Sequence, residues 1–316
     1  MTSFAFVFPG QGSQAVGMLD AWGDHPAVRE TLAEASEALG EDVARLIHEG
    51  PKEALALTTN TQPVMLVAGV AAWRAWLAEG GAKPAAVAGH SLGEYSALVA
   101  AGVLTLKQAA PLVRLRARAM QEAVPVGAGA MAAILGMASE KVAAGCAEVT
   151  AGFPAGSGEV VEAVNFNDPM QTVIAGSKAA VEKACEALKA AGAKRALPLP
   201  VSAPFHSSLM KPAAEALRAA LADVELAAPA IPLVNNIDVA VEDDPARIRD
   251  ALVRQAAGPV RWVECVQALQ ARGVTAIVEC GPGRVLSGMV KRIAPDVANP
   301  VILDPATLAE TKQSLA

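Results

Sequence analysis

Ala85-Ala86-Val87-Ala88-Gly89-His90-Ser91-Leu92-Gly93-Glu94 decides the fold. Its first four residues are an apolar run, the pattern of a buried strand. From Glu94 the spacing reads as a helix over 94–101, stopped by Gly102. Between strand and helix stands G-x-S-x-G, the pattern of a nucleophile elbow. Small glycines allow a strained turn that lifts the Ser91 hydroxyl clear of the backbone. The helix that follows aims its N–H groups where an oxyanion would form. A glycine-rich turn with a solvent-facing serine is the plainer reading of the same five residues.

The pattern repeats outward along the chain. Phe4-Ala5-Phe6-Val7-Phe8 is an apolar run closed by Pro9-Gly10, which predicts a first buried strand and a tight loop. Helical spacing follows over 26–39, 63–79 and 106–123. After a change of texture near Gly127, a strand (130–136) leads to a helix (139–149) with Ser139 as its cap. Two strands (160–165 and 171–175), a helix (178–191) and a strand (193–199) complete a β-α-β-β-α-β order, that of a ferredoxin-like unit. Helices at 211–222, 245–257 and 261–273 then alternate with strands at 231–235 and 276–280. Alternation of this kind predicts an α/β protein of hydrolase-like form: a mostly parallel sheet with flanking helices. The expected organisation is a large α/β domain from residues 1–125 and 203–316, with a small ferredoxin-like domain, 126–202, inserted.

Composition narrows the function. Apolar residues make up 53% of 316 and charged residues 18%, enough for a sizeable core and against disorder. The net charge of −6 argues against general nucleic-acid binding. No apolar run is long enough to span a membrane. The N-terminus lacks the basic region of a signal peptide. A cytoplasmic location with reduced thiols is therefore expected, and the spacing of Cys146, Cys185, Cys265 and Cys280 carries no metal signature.

A serine nucleophile needs a base. Of His25, His48, His90 and His206, the first two lie in polar helix-end or loop contexts, and His90 should point away from Ser91. His206, in a loop where the small domain returns to the large one, is the best candidate, since domain junctions commonly line active sites. A histidine that merely caps the next helix is the alternative. Gly10-Gln11-Gly12 matches a loose dinucleotide fingerprint, but the residues after 28 look helical where a second strand is required, so that reading fails. The loop could instead supply an oxyanion N–H from Gln11.

Gly10-Gln11-Gly12-Ser13-Gln14, Gly89-His90-Ser91-Leu92-Gly93-Glu94, Phe205-His206-Ser207 and Gly281-Pro282-Gly283 together resemble the malonyl-CoA:acyl carrier protein transacylases of bacterial fatty-acid synthesis. The resemblance runs from residue 4 to about 303. It implies Ser91 as nucleophile and His206 as base, oriented by the backbone carbonyl of Gln255. It implies an oxyanion hole from the N–H groups of Gln11 and Leu92. Arg116 would bind the substrate carboxylate; the residues alone do not choose among Arg114, Arg116 and Arg118. Phe205, by likeness to polyketide acyltransferases, would favour malonyl over methylmalonyl. No cofactor is implied beyond the coenzyme A thioester itself, and no metal. The acyl carrier protein, an acidic partner, would dock on basic residues, with Lys189, Lys194, Arg195, Lys291 and Arg292 as candidates. The competing functions are a serine esterase or acyl hydrolase, a non-catalytic carrier-binding module, and an acyltransferase of a polyketide pathway.

Overall fold

The computed structural model describes residues 2–201 and 203–316. Met1 lies outside the described residues, as does Ser202 at the expected limit of the small domain. Nine strands follow in chain order: β1 (Phe4–Phe8), β2 (Ala86–Gly89), β3 (Gly129–Leu135), β4 (Val161–Asp168), β5 (Gln171–Ser177), β6 (Arg195–Pro198), β7 (Leu233–Val234), β8 (Ala276–Cys280) and β9 (Val301–Ile302). They form a five-stranded sheet, β7-β2-β1-β8-β9, and a four-stranded sheet, β4-β5-β3-β6.

The larger sheet is parallel at every pairing. Its central strand β1 is buried along its whole length, as a parallel strand covered on both faces must be. Alternation sends its side chains to two cores. Phe4, Phe6 and Phe8 enter the core under the helices Pro26–Leu39, Thr58–Ala78 and Leu106–Glu122. Ala5 and Val7 enter the opposite core, against Trp262 and Val290. The Phe6 ring stands edge-on to Trp73 and Trp76, with centroids 5.6 and 5.3 Å away. Burying one such ring contributes about 1.5–3 kcal/mol.

The smaller sheet is antiparallel, with β3 between β5 and β6. Helices Ser139–Ala151 and Lys178–Ala190 cover one face. Met131, Ala133, Val164 and Val173 on the other pack toward Phe205 and Met210 of the larger unit. Strand β4 is hooked onto that unit by backbone: Val260 donates to Val164 O at 2.8 Å, and Phe166 N donates to Val260 O at 3.0 Å.

Some local expectations fail. The helix expected to begin at 63 begins at Thr58 and runs through Pro63. Proline supplies no N–H to the carbonyl four residues back. That carbonyl, Thr59 O, instead accepts from Arg114 Nη1 at 2.6 Å, so the break never forms. Ser139 is not a cap. Ala138 precedes the helix, and Ser139 Oγ accepts from Thr172 across the unit at 3.0 Å. Helices at Val43–Glu49, Val285–Ile293 and Pro305–Leu315 went unread, the second although Leu286, Met289, Val290 and Ile293 keep helical spacing.

Candidate active site

The elbow is built by close approach. A Cβ on Gly93 would stand 2.0 Å from Phe8 O, and one on Gly89 would stand 2.0 Å from Gly93 C. Only glycine lets β2 turn into the helix Gly93–Ala100 against β1. The turn leaves Ser91 at φ +52°, a strained setting for a serine. Asn236 holds it there: its Oδ1 accepts from Ser91 N and its Nδ2 donates to Gly89 O, both at 2.7 Å.

His206 is buried and stands at φ +65°. Its Nε2 lies 2.7 Å from Ser91 Oγ. Its Nδ1 lies 3.0 Å from Gln255 O and 3.2 Å from Gly258 O. Carbonyls only accept, so Nδ1 carries the hydrogen and Nε2 is left to accept from the serine. Burial, reinforced by the charge of Arg116, pushes the His206 pKa down to about 3. The imidazole is therefore neutral and able to take a proton. It caps no helix: the short turn after it, Ser208–Met210, is preceded by Ser207.

The helix Leu106–Glu122 separates its three arginines. Arg114 braces Thr59 O and Asn60 and pairs with Glu41, while Arg118 is exposed. Arg116, two residues round from either, points the other way and is 1% exposed. Its Nη1 donates to Gln62 Oε1 at 2.6 Å. Its Nη2 reaches Gln255 Oε1 at 3.0 Å and Ser91 Oγ at 3.1 Å. The Tyr95 ring lies 5.5 Å from the guanidinium carbon. Arg116 Nε is buried without a hydrogen-bond partner among the described residues, an open donor on a cation beside the serine.

Ser91, His206 and Arg116 meet in a cavity of about 470 Å³, which Gln11, Leu92 and Phe205 also line. A Cβ on Gly10 would meet His90 O at 2.5 Å and Leu92 N at 3.8 Å, so the loop carrying Gln11 lies flat against the elbow. The Gln11 side chain turns to Thr58, with Nε2 donating at 3.2 Å. His90 points away from the serine, its Nε2 2.8 Å from Asn167 Oδ1.

A serine and a neutral histidine beside an oriented cation can transfer an acyl group that bears a carboxylate. Residues 5–301 match the acyl transferase domain family. The chain belongs to that family. It is 54% identical to the malonyl CoA-acyl carrier protein transacylase of Salmonella typhimurium over 310 residues, 98% of each chain. Against the enzyme of the same name from Bacillus subtilis the identity is 44%, over 100% of this chain and 98% of that one. A crystal structure of the acyl-carrier-protein S-malonyltransferase of Burkholderia pseudomallei matches with a TM-score of 0.96 and 63% identity, over 99% of this chain and 100% of that one. A malonyl-transacylase solved in complex with a type II polyketide acyl carrier protein matches at 0.95 and 51%, over 99% and 100%.

Three site residues of this acyltransferase escaped sequence reasoning. Gln62 and Asn236 hold Arg116 and Ser91, and buried Glu94 accepts from Asn236 N at 2.9 Å and from Gln255 Nε2 at 3.0 Å. Signals existed for two of them. Glu94 is the one charged residue in the mostly apolar segment 94–101. Asn235-Asn236 closes an apolar run at the carboxyl end of a parallel strand, where α/β sheets place their sites. The basic residues Lys189, Lys194, Arg195, Lys291 and Arg292 are all exposed. Arg292 is already engaged, its Nε 2.6 Å from buried Asp168, a tie between the two units of the acyltransferase. Among the described residues no helix is long and apolar enough to cross a membrane, and no cluster of three side chains could hold a metal.

Proposed function

We propose that this acyltransferase moves the malonyl group of malonyl-CoA to the phosphopantetheine thiol of an acyl carrier protein, in cytoplasmic fatty-acid synthesis. One observation carries the reading: Ser91 Oγ lies within hydrogen-bond reach of both His206 Nε2, at 2.7 Å, and Arg116 Nη2, at 3.1 Å. In malonyl a single methylene separates the carboxylate from the thioester carbonyl. A cation that reads the carboxylate must therefore stand beside the nucleophile. The names of the relatives support the same substrates.

The reaction runs in two halves. His206 Nε2 takes the Ser91 proton as Oγ attacks the thioester carbonyl. The oxyanion that forms rests on the N–H groups of Gln11 and Leu92. The C–S bond breaks, the imidazolium returns its proton to the leaving thiolate, and malonyl-Ser91 remains, its carboxylate on Arg116. The carrier thiol then gives its proton to His206 and attacks the ester, and Ser91 regains the proton as it leaves. Protons and acyl groups balance with no cofactor. Gln255 O and Gly258 O hold the imidazole through Nδ1, in the place a triad carboxylate takes elsewhere. An acetyl group leaves the buried cation unpaired, and Phe205 fills space that a methyl branch would need.

Intact-protein mass spectrometry after brief incubation with malonyl-CoA tests this. The expected result is a malonyl adduct that carrier protein removes, that Ser91→Ala abolishes, and that Arg116→Ala reduces by roughly a hundredfold, the scale of a lost charged hydrogen bond. Release of free malonate without transfer would favour the hydrolase. A polyketide carrier is the second reading, favoured by the neighbour solved with one.

A further inference from the structure

Glu94 is a buried carboxylate that the two half-reactions leave unused. It is 1% exposed and sits in the first turn of the helix that follows the nucleophile. Around it the hydrogen bonds form a closed bracket. The side-chain amide of Gln255 donates from Nε2 to Glu94 Oε2 at 3.0 Å and to Ser91 O at 3.1 Å. Its Oε1 accepts from Arg116 Nη2 at 3.0 Å. An amide can turn end for end, and the two ends differ only in what they offer. Ser91 O and Glu94 Oε2 both accept, so they fix the NH2 end on their side. The carbonyl end must then face the guanidinium.

We infer that Glu94 is a positioning residue for acyl selection: it sets the direction of the Gln255 amide, and through it the placement of the Arg116 guanidinium. Gln255 thus acts twice. Its main-chain carbonyl orients the base, and its side chain relays Glu94 to the cation. Asn236 N donates to the same Oε2 at 2.9 Å, which ties the bracket to the residue that braces Ser91 N. Both donors meet one oxygen, so a proton on Oε1 leaves the bracket in place. A glutamine at 94 keeps its carbonyl oxygen under Asn236 N and leaves the bracket in place. With a methionine at 94, no oxygen faces Gln255 Nε2 from that side, and only Ser91 O still favours the present direction. The reversed amide sets N–H against N–H at Arg116 Nη2 and displaces the cation. An acyl group without a carboxylate does not sense that change.

The inference rests on the malonyl reading, and its test separates the two. Rates of acyl-Ser91 formation from malonyl-CoA and acetyl-CoA are measured for the parent, Glu94→Met, Gln255→Met and the double variant, with thermal melts alongside. Glu94→Met is expected to lower the malonyl-to-acetyl rate ratio roughly tenfold or more, chiefly through KM for malonyl-CoA. Gln255→Met should lower the same ratio. The double variant should add little to either, since the two residues act through one relay. Equal slowing of both substrates in Glu94→Met would make Glu94 a plain structural residue and overturn the inference. So would an unchanged ratio in Gln255→Met, even if Glu94→Met does not fold. A parent that takes no malonyl at all would instead sink the malonyl reading beneath it.

Discussion

His206 and Arg116 lie close together, yet only one of them can be charged in the resting site. Burial and the neighbouring guanidinium hold the imidazole down to about 3. The free enzyme should therefore keep its base unprotonated through weakly acidic pH. The pH profile of kcat/KM for acyl-Ser91 formation is expected to show no acid limb near 6.5, the ordinary histidine value, and to fall only well below it. An inflection between about 6 and 7 that His206 causes would contradict that. Stability follows the same shift. Below about 6.5 the unfolded chain binds a proton that the native site refuses, so the contribution of His206 is lost as pH falls toward 3. Glu279 runs the other way. Its carboxylate accepts from Ser287 N at 2.7 Å and Leu286 N at 3.1 Å, and burial raises its pKa to about 7. Its contribution is present below 4.5 and lost as pH rises through 7.

The strand–elbow–helix element was legible because its requirements are local. Two glycines at fixed spacing, an apolar run before and a helical run after leave few other structures. The spatial reason for Gly93 is not local, however. Its missing Cβ makes room for Phe8 O, a backbone atom of a strand more than eighty residues away. Gly93→Ala should force β1 and the elbow apart, cost about 1–3 kcal/mol as an overpacked site does, and stop malonyl loading. A variant that melts with the parent and loads at the same rate would show that the approach is not needed. The helix through Pro63 makes the complementary point. The apolar spacing began it at the proline and missed the turn before, whose freed carbonyl is taken up by an arginine from another helix.

Across the whole molecule, the two sheets meet at the cavity, and β4 is fastened there by Val260, by the Asn167–His90 contact and by the Asp168–Arg292 pair. Arg292 and Lys291 therefore make different predictions, although they are neighbours and both exposed. Lys291→Glu should slow transfer to an acidic carrier by about threefold or more at low salt, with less effect at high salt, as a rim charge does. The melting temperature should hardly move. Arg292→Ala should lower the melting temperature as well, because it leaves buried Asp168 unpaired. Stopped-flow transfer kinetics at two salt concentrations, with melts of both variants, check this. Equal behaviour of the two would remove the distinction. The sequence by itself determined the alternation of strands and helices, the elbow and the family, since each is written in short-range spacing or in motifs that keep their order. The family resemblance already pointed to Arg116 and to the Gln255 carbonyl; only the tertiary structure decided that the Gly258 carbonyl also holds the histidine and that Gln62, Glu94 and Asn236 belong to the site. Those facts depend on groups that converge from six separate segments, and no periodicity along one chain records the distance between two of them.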